Sequence, residues 1–222
     1  MGPPAILHAE EAGIPPGWRT LGHDGARKFL LRGLQTGRLA HAFLISGPPR
    51  VGKMSMAMDL ARAVNCEAAD PANRPCGACK PCQRITRGLH ADVRVIDPET
   101  TIESEKPRPG EEDRTRRVIR KGHIDDLHHR AALKPFEGRS QVFVIDGADL
   151  MQASAANALL KTLEEPESQV LLVLLPSAPG ALPETIISRC QRVELRPIPA
   201  GVIERHLVEV AGAEPALALT LA

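Results

Sequence analysis

Tyrosine is absent from the 222 residues, and the remaining aromatics are one tryptophan and four phenylalanines. Single-stranded nucleic acid is held largely by stacking bases on aromatic rings, so this composition excludes an RNA-binding sheet. The core must be built from Leu, Ile, Val and Ala. A charge imbalance is missing too: 28 basic residues stand against 27 acidic ones, for a net charge of +1. That excludes a generally basic nucleic-acid binder but leaves room for a local basic patch. No apolar run approaches the ~20 residues needed to span a bilayer; the longest is Val170 to Leu175. Met1 to Pro16 lack a basic region followed by an apolar one, so no secretory signal is expected and a cytoplasmic protein is.

What is present is ordinary for a globular chain: 43% apolar and 25% charged residues. The length suits one large domain, with or without a small appendage. Met1 to Gly17, with four prolines, reads as an irregular arm. Asp24 to Gln35 carries Phe29, Leu30, Leu31 and Leu34 at helical spacing, with Asp24 as candidate N-cap. Strands are expected at Ala42–Ser46, Val93–Asp97, Gln141–Asp146, Val170–Leu175 and Arg192–Leu195. Helices are expected from Gly52 to Val64, His123 to Leu133, Leu150 to Leu163 and Gly201 to Ala222. Strands alternating with helices predict an α/β fold on a parallel sheet. Glu103 to Lys121 is mostly charged, with two prolines and a glycine, and reads as a solvated loop or mobile insertion. Its end, Arg114 to Lys121, has five basic residues and no acidic one. It is either a solvated flank or a phosphate-contacting patch. The final helix ends without a cap, so the chain reads as a truncated piece of a longer protein.

Gly47-Pro48-Pro49-Arg50-Val51-Gly52-Lys53 fits G-x-x-x-x-G-K between an apolar strand and a helix. Glycines let backbone N–H groups turn inward around phosphate oxygens, and the helix N-terminus favours an anion. Lys53 adds a point charge. The alternative is a Gly/Pro turn that only joins strand to helix. The hydroxyl that normally follows the lysine to bind Mg²⁺ is replaced by Met54, which cannot serve as a hard oxygen ligand. Asp146 ends an apolar strand as a Mg²⁺-side carboxylate would, but its neighbour is Gly147, not a second carboxylate to orient water. Asp149 either caps the following helix or touches nucleotide. Two defects at one site favour a nucleotide-binding relic over a working ATPase.

Cys66, Cys76, Cys79 and Cys82 lie within seventeen residues. Four soft ligands, with tight turns supplied by Pro75, Gly77 and Pro81, suit a closed structural Zn²⁺ site. A redox dithiol and four unrelated thiols are the alternatives. Cys190 stands apart and reads as a small buried hydrophobe.

Ala156-Asn157-Ala158-Leu159-Leu160-Lys161-Thr162-Leu163-Glu164-Glu165-Pro166, followed by Ile187-Ser188-Arg189-Cys190-Gln191, closely resembles the bacterial clamp-loader AAA+ subunits of DNA polymerase III. The cysteine knot after the phosphate-loop helix and Trp18 with Leu21-Gly22-His23 are similar to theirs. The resemblance implies an AAA+ P-loop domain over residues 18–198 with a five-stranded parallel sheet. Within it lie a zinc module at 66–82 and the charged insertion at 103–121. An incomplete helical lid domain would start at 199–222, and a C-terminal oligomerisation domain lies outside this sequence. Gly52-Lys53-Met54 and Asp146-Gly147 look like the non-hydrolysing delta-prime kind of subunit, not the gamma and tau ATPases. The implied partners are gamma/tau and delta, with the sliding clamp and primed DNA reached through the complex. ATP is a possible ligand. On this resemblance Arg189 is an arginine finger reaching a neighbour's ATP; on the residues alone it pairs with a local carboxylate such as Glu184 or Glu194. The competing readings are an active gamma/tau-type ATPase and a zinc-dependent nucleic-acid-binding module.

Overall fold

The computed structural model describes residues 14–100 and 118–209. Five strands form one parallel sheet: β1 (Ala42–Ser46), β2 (Val93–Ile96), β3 (Gln141–Asp146), β4 (Val170–Leu175) and β5 (Gln191–Glu194). Their order across the sheet is β2-β3-β4-β1-β5. The three central strands are continuous apolar runs because both faces are covered. On one face, Phe43, Ile45, Val142, Val144, Leu171, Val173 and Leu175 pack on α2 (Lys53–Asn65) and on Leu30 of α1 (Asp24–Gln35). On the other, Leu44, Phe143, Ile145, Leu172 and Leu174 pack on α4 (Lys121–Ala131) and α5 (Ala153–Glu164). Each such side chain stabilises the fold by roughly 1.5–3 kcal/mol. The remaining helices are α3 (Lys80–Thr86), α6 (Glu184–Ile187) and α7 (Ala200–Glu209).

The five expected strands are present within a residue or so. Asp24 is not the cap of α1: His23 takes that place in a left-handed conformation (φ 59°), and Asp24 pairs with Arg27 inside the first turn. Helix α5 starts at Ala153, three residues later than expected, because a 3₁₀ turn at Ala148–Leu150 occupies the expected start and Met151 bridges Ile119. Helices α3 and α6, of seven and four residues, escape a periodicity argument because neither repeats its pattern once.

Residues 1–13 of the expected arm, 101–117 of the charged insertion and 210–222 of the expected final helix lie outside the described residues. Of the Arg114 to Lys121 flank only residues 118–121 are described, and within them Ile119 departs from a solvated flank while Lys121 is exposed. Ile119 is fully buried, bridges Met151, donates to the Leu150 carbonyl at 2.9 Å and accepts from Gln152 at 2.9 Å. Lys121 pairs with Asp125 one helical turn on.

Candidate functional site

β1 delivers the chain to the middle of the sheet, between β4 and β5, and α2 carries it away. The Gly47–Gly52 loop between them has the backbone its glycines allow. Gly47 lies at φ 149° and Gly52 at φ 100°, both outside the range that L side chains favour. A Cβ on Gly47 would sit 2.4 Å from the Leu195 carbonyl oxygen, so the loop is pressed onto the end of β5. Pro48, Pro49 and Arg50 are exposed, and Val51 is buried beneath them. Lys53 Nζ donates to the carbonyls of Gly47 (2.7 Å) and Pro48 (3.3 Å), so the ammonium is held inside the loop it would serve.

Met54 is half-buried and packs on the same core as Trp18, Met56 and Leu60, while Ser55 is exposed. No hydroxyl replaces the missing Mg²⁺ ligand at position 54. Asp146 is exposed at the end of β3. Partial desolvation, with the nearby carboxylates of Asp97 and Asp149, moves it above the usual carboxylate range against the Gly147 N–H and Lys53. Gly147 has φ 71°, so a glutamate there would carry backbone strain. Asp149 neither caps a helix nor lies free: its carboxylate accepts the N–H of Ser177 at 2.7 Å and of Ala178 at 3.3 Å. It ties the turn after β3 to the turn after β4.

The four knot cysteines come together as their spacing suggests. Cys66 ends α2, Cys79 caps α3 and Cys82 lies within it. All four sulfurs fall within 4.8 Å of one another, with Cys66 and Cys79 at 3.9 Å. A tetrahedral Zn²⁺ with Zn–S bonds of about 2.3 Å needs sulfurs about 3.8 Å apart, so the donor set fits with little contraction. Backbone N–H groups of Ala68 and Cys76 point at Cys66 Sγ, and that of Cys79 at Cys76 Sγ. Such bonds stabilise bound thiolates. Burial raises both Cys66 and Cys82. At Cys76 burial is outweighed by the N–H groups of Cys79 and Ala78 and by the neighbouring thiols, which bring it down to about 7.

Arg189 follows α6. Its guanidinium meets Glu164 at the end of α5 (2.8 Å) and donates to the Thr185 carbonyl (2.8 Å). The local carboxylate is therefore Glu164, not Glu184, which faces Arg192 at 3.5 Å, nor Glu194, which faces Arg196 at 3.8 Å. Cys190 is half-buried against the α4/α5 core, and burial pushes its thiol up to about 11.

Three polar side chains escape sequence reasoning. Buried Asp59 on α2 accepts the N–H groups of Arg19 and Thr20. Asp92 accepts those of Phe136, Glu137 and Gly138 at 2.7–2.8 Å, and Asn65 those of Arg139 and Ser140. A single acid in a helix or before a strand carries no distinguishing sequence signal; only the fold brings the orphan N–H groups to it.

Solved structures with the same fold include a DNA polymerase III gamma subunit-related protein from Thermotoga maritima (TM-score 0.55, 19% identity, 87% of this chain and 56% of that one). Another is the RuvB Holliday junction branch migration motor of the same organism (TM-score 0.53, 16% identity, 90% and 55%). Both are P-loop proteins of the AAA+ architecture. Among curated relatives, the DNA polymerase III subunit delta' of Bacillus subtilis is 33% identical over 182 residues, 82% of this chain and 50% of the relative. Subunit tau of Escherichia coli is 34% identical over 194 residues, 87% of this chain and 27% of the relative. The chain thus spans about half the length of the delta' relative. Residues 22–199 match the family described as DNA polymerase III, delta subunit, and the chain belongs to that family.

Proposed function

We propose that this chain is a delta-prime-like, non-hydrolysing subunit of the DNA polymerase III clamp loader, acting in DNA replication. One observation carries the reading. The side chain after Lys53 is Met54, half-buried against apolar neighbours, and the residue after Asp146 is a left-handed glycine. Neither the Mg²⁺ hydroxyl nor the water-orienting carboxylate has a replacement at its own position. The backbone nest of Gly47–Gly52 and Lys53 can still receive phosphate groups, so ATP would be bound without being turned over. The gamma/tau ATPase reading rests on the 34% identity to tau.

Cys66, Cys76, Cys79 and Cys82 would hold one Zn²⁺, which supplies cross-linking of the knot and no chemistry. Arg189 would leave Glu164 to meet the phosphates of a neighbouring subunit's ATP, where a planar cation stabilises charge in phosphoryl transfer. The partners are gamma/tau and delta, and through them the sliding clamp and primed DNA. The organisation proposed is an arm at 1–17, the nucleotide-binding-like domain at 18–198 and the start of a lid at 199–222, in the cytoplasm. The deciding experiment is phosphate release by the purified chain beside its Lys53→Ala variant, alone and with the other loader subunits. Background release from both, together with co-purification with those subunits, is expected. Turnover that disappears with Lys53→Ala would move the chain to the ATPase class.

A further inference from the structure

Seven residues, Gly17 to His23, run from the cysteine knot to the phosphate loop and are fixed at both ends. At the knot, Gly17 lies flat on the backbone of the Pro75–Gly77 turn. A Cβ there would sit 2.0 Å from the Pro75 carbonyl oxygen and 2.8 Å from the Gly77 nitrogen. The Trp18 indole N–H donates to the Arg74 carbonyl at 3.2 Å, with the ring buried in the α2 core. Arg74 in turn donates to the carbonyls of Ala68 (2.7 Å) and Ala69 (3.1 Å), closing the loop between Cys66 and Cys76.

In the middle, the N–H groups of Arg19 and Thr20 both end on the fully buried carboxylate of Asp59. Asp59 also holds Arg62 on the next turn of α2, the helix that ends at Cys66. At the far end, the Thr20 methyl would touch a Cβ on Gly52 at 3.7 Å. His23 Nε2 meets the Val51 carbonyl at 2.9 Å, which makes that nitrogen the donor. Backbone contacts as close as that of Gly17 do not deform gradually, because packed interiors resist compression.

We propose that the Gly17–His23 strap is a mechanical link through which metal occupancy of the cysteine knot sets the conformation of the phosphate loop. The proposal rests on the zinc reading above. With the metal in place, Cys76 is anchored and the Arg74–Gly77 turn presents a fixed surface to Gly17 and Trp18. With it removed, that turn loses its anchor, Trp18 loses its acceptor, and the bond from His23 to Val51 weakens in consequence.

Two arms on the full chain test this. The chain has a single tryptophan and no tyrosine, so its near-ultraviolet-excited emission reports Trp18 alone. Zinc is first quantified by elemental analysis and then stripped with a chelator, with far-ultraviolet dichroism followed throughout. The expected result is a red shift of Trp18 emission and at least tenfold faster amide exchange at Met56, whose N–H closes the first turn of α2 on the Gly52 carbonyl, with retained secondary structure. In the second arm Gly17→Ala leaves every cysteine in place but forces the strap off the knot. It should keep its zinc and show the same red shift and faster Met56 exchange. Zinc loss with unchanged Trp18 emission would overturn the link. So would a Gly17→Ala protein whose emission shifts while Met56 exchange stays at the wild-type rate. A purified chain without zinc would remove the zinc reading and, with it, the metal control proposed here. Unfolding of the whole chain on stripping would also overturn the proposal, because the metal would then hold the fold at large and not the loop through this strap.

Discussion

At the scale of single residues, the Gly47–Lys53 loop and the end of β3 depart from a hydrolytic site in two different ways. Met54 is a side-chain defect, because a threonine could occupy that half-buried place. Gly147 is a backbone defect, since its φ of 71° costs any non-glycine residue about 1–3 kcal/mol. Met54→Thr alone should therefore leave ATP hydrolysis at background. The double variant with Gly147→Glu should lower Tm without restoring turnover. Phosphate release and a thermal melt check both; turnover from Met54→Thr alone would show that the missing carboxylate is dispensable.

Arg189 can be separated from its local partner in the same way. The pair with Glu164 is more than a third exposed on both sides, so breaking it changes stability by less than ~1 kcal/mol. If Arg189 acts only locally, Arg189→Ala and Glu164→Gln should behave alike in a reconstituted loader. If it acts on a neighbour's ATP, only Arg189→Ala should reduce DNA-stimulated hydrolysis, and Arg189→Lys should not rescue it, for want of the planar fork. Asp92 is the opposite case, with a purely structural expectation. Asp92→Ala would leave the N–H groups of Phe136, Glu137 and Gly138 without their acceptor. It should cost about 1–3 kcal/mol in urea unfolding, because the three donors sit in a largely exposed turn that water reaches in part.

At the scale of elements, the strands of the sheet centre were readable because burial on both faces leaves an unbroken apolar run, as in Val170–Leu175. The knot was readable because metal geometry restricts ligand spacing. What was not readable was made by contacts distant in sequence. His23 caps α1 because its ring is held by Val51, and Ile119 is buried because Leu150 and Gln152 hydrogen-bond to it. The pairing of Arg189 with Glu164 likewise needs α5 and α6 side by side, which the local pattern does not state. Helix α3 exists where Cys79 and Pro81 start it and the knot holds it. On the zinc reading proposed above, Cys79→Ser should release the metal and lower Tm by about 5–10 °C, the effect of ~2–3 kcal/mol on a chain of this size. Elemental analysis alongside a thermal melt checks it.

At the scale of the whole molecule, acid sensitivity should come from two histidines on separate elements. Burial holds His90 below the ordinary imidazole value of 6.5, against the pull of Glu137 and Asp92. Burial does the same for His128 on α4, against Asp125. Each takes up its proton less readily in the folded chain than in the unfolded one, where the imidazole titrates near 6.5. The folded state therefore binds fewer protons in that window, and stability should fall as pH drops below about 6.5. Above pH 7 the contribution is flat. His90→Gln should flatten part of that acid limb in urea titrations at pH 7.5, 6.5 and 5.5; an unchanged slope would assign it elsewhere.

The sheet order also constrains how the molecule is made. β1 pairs with β4 and β5, both of which leave the ribosome more than a hundred residues after it. At about 5–20 residues per second, the Phe43–Ile45 segment waits on the order of ten seconds with neither edge paired. During that time a short, strongly apolar strand is available to any other unpaired edge in the cell. β5 arrives last and closes the ladder next to Gly47. The phosphate loop is therefore among the last parts of the sheet to be shaped, and synthesis halted before Gln191 would yield a chain with β1 open on one side, suited to capture by chaperones rather than to assembly.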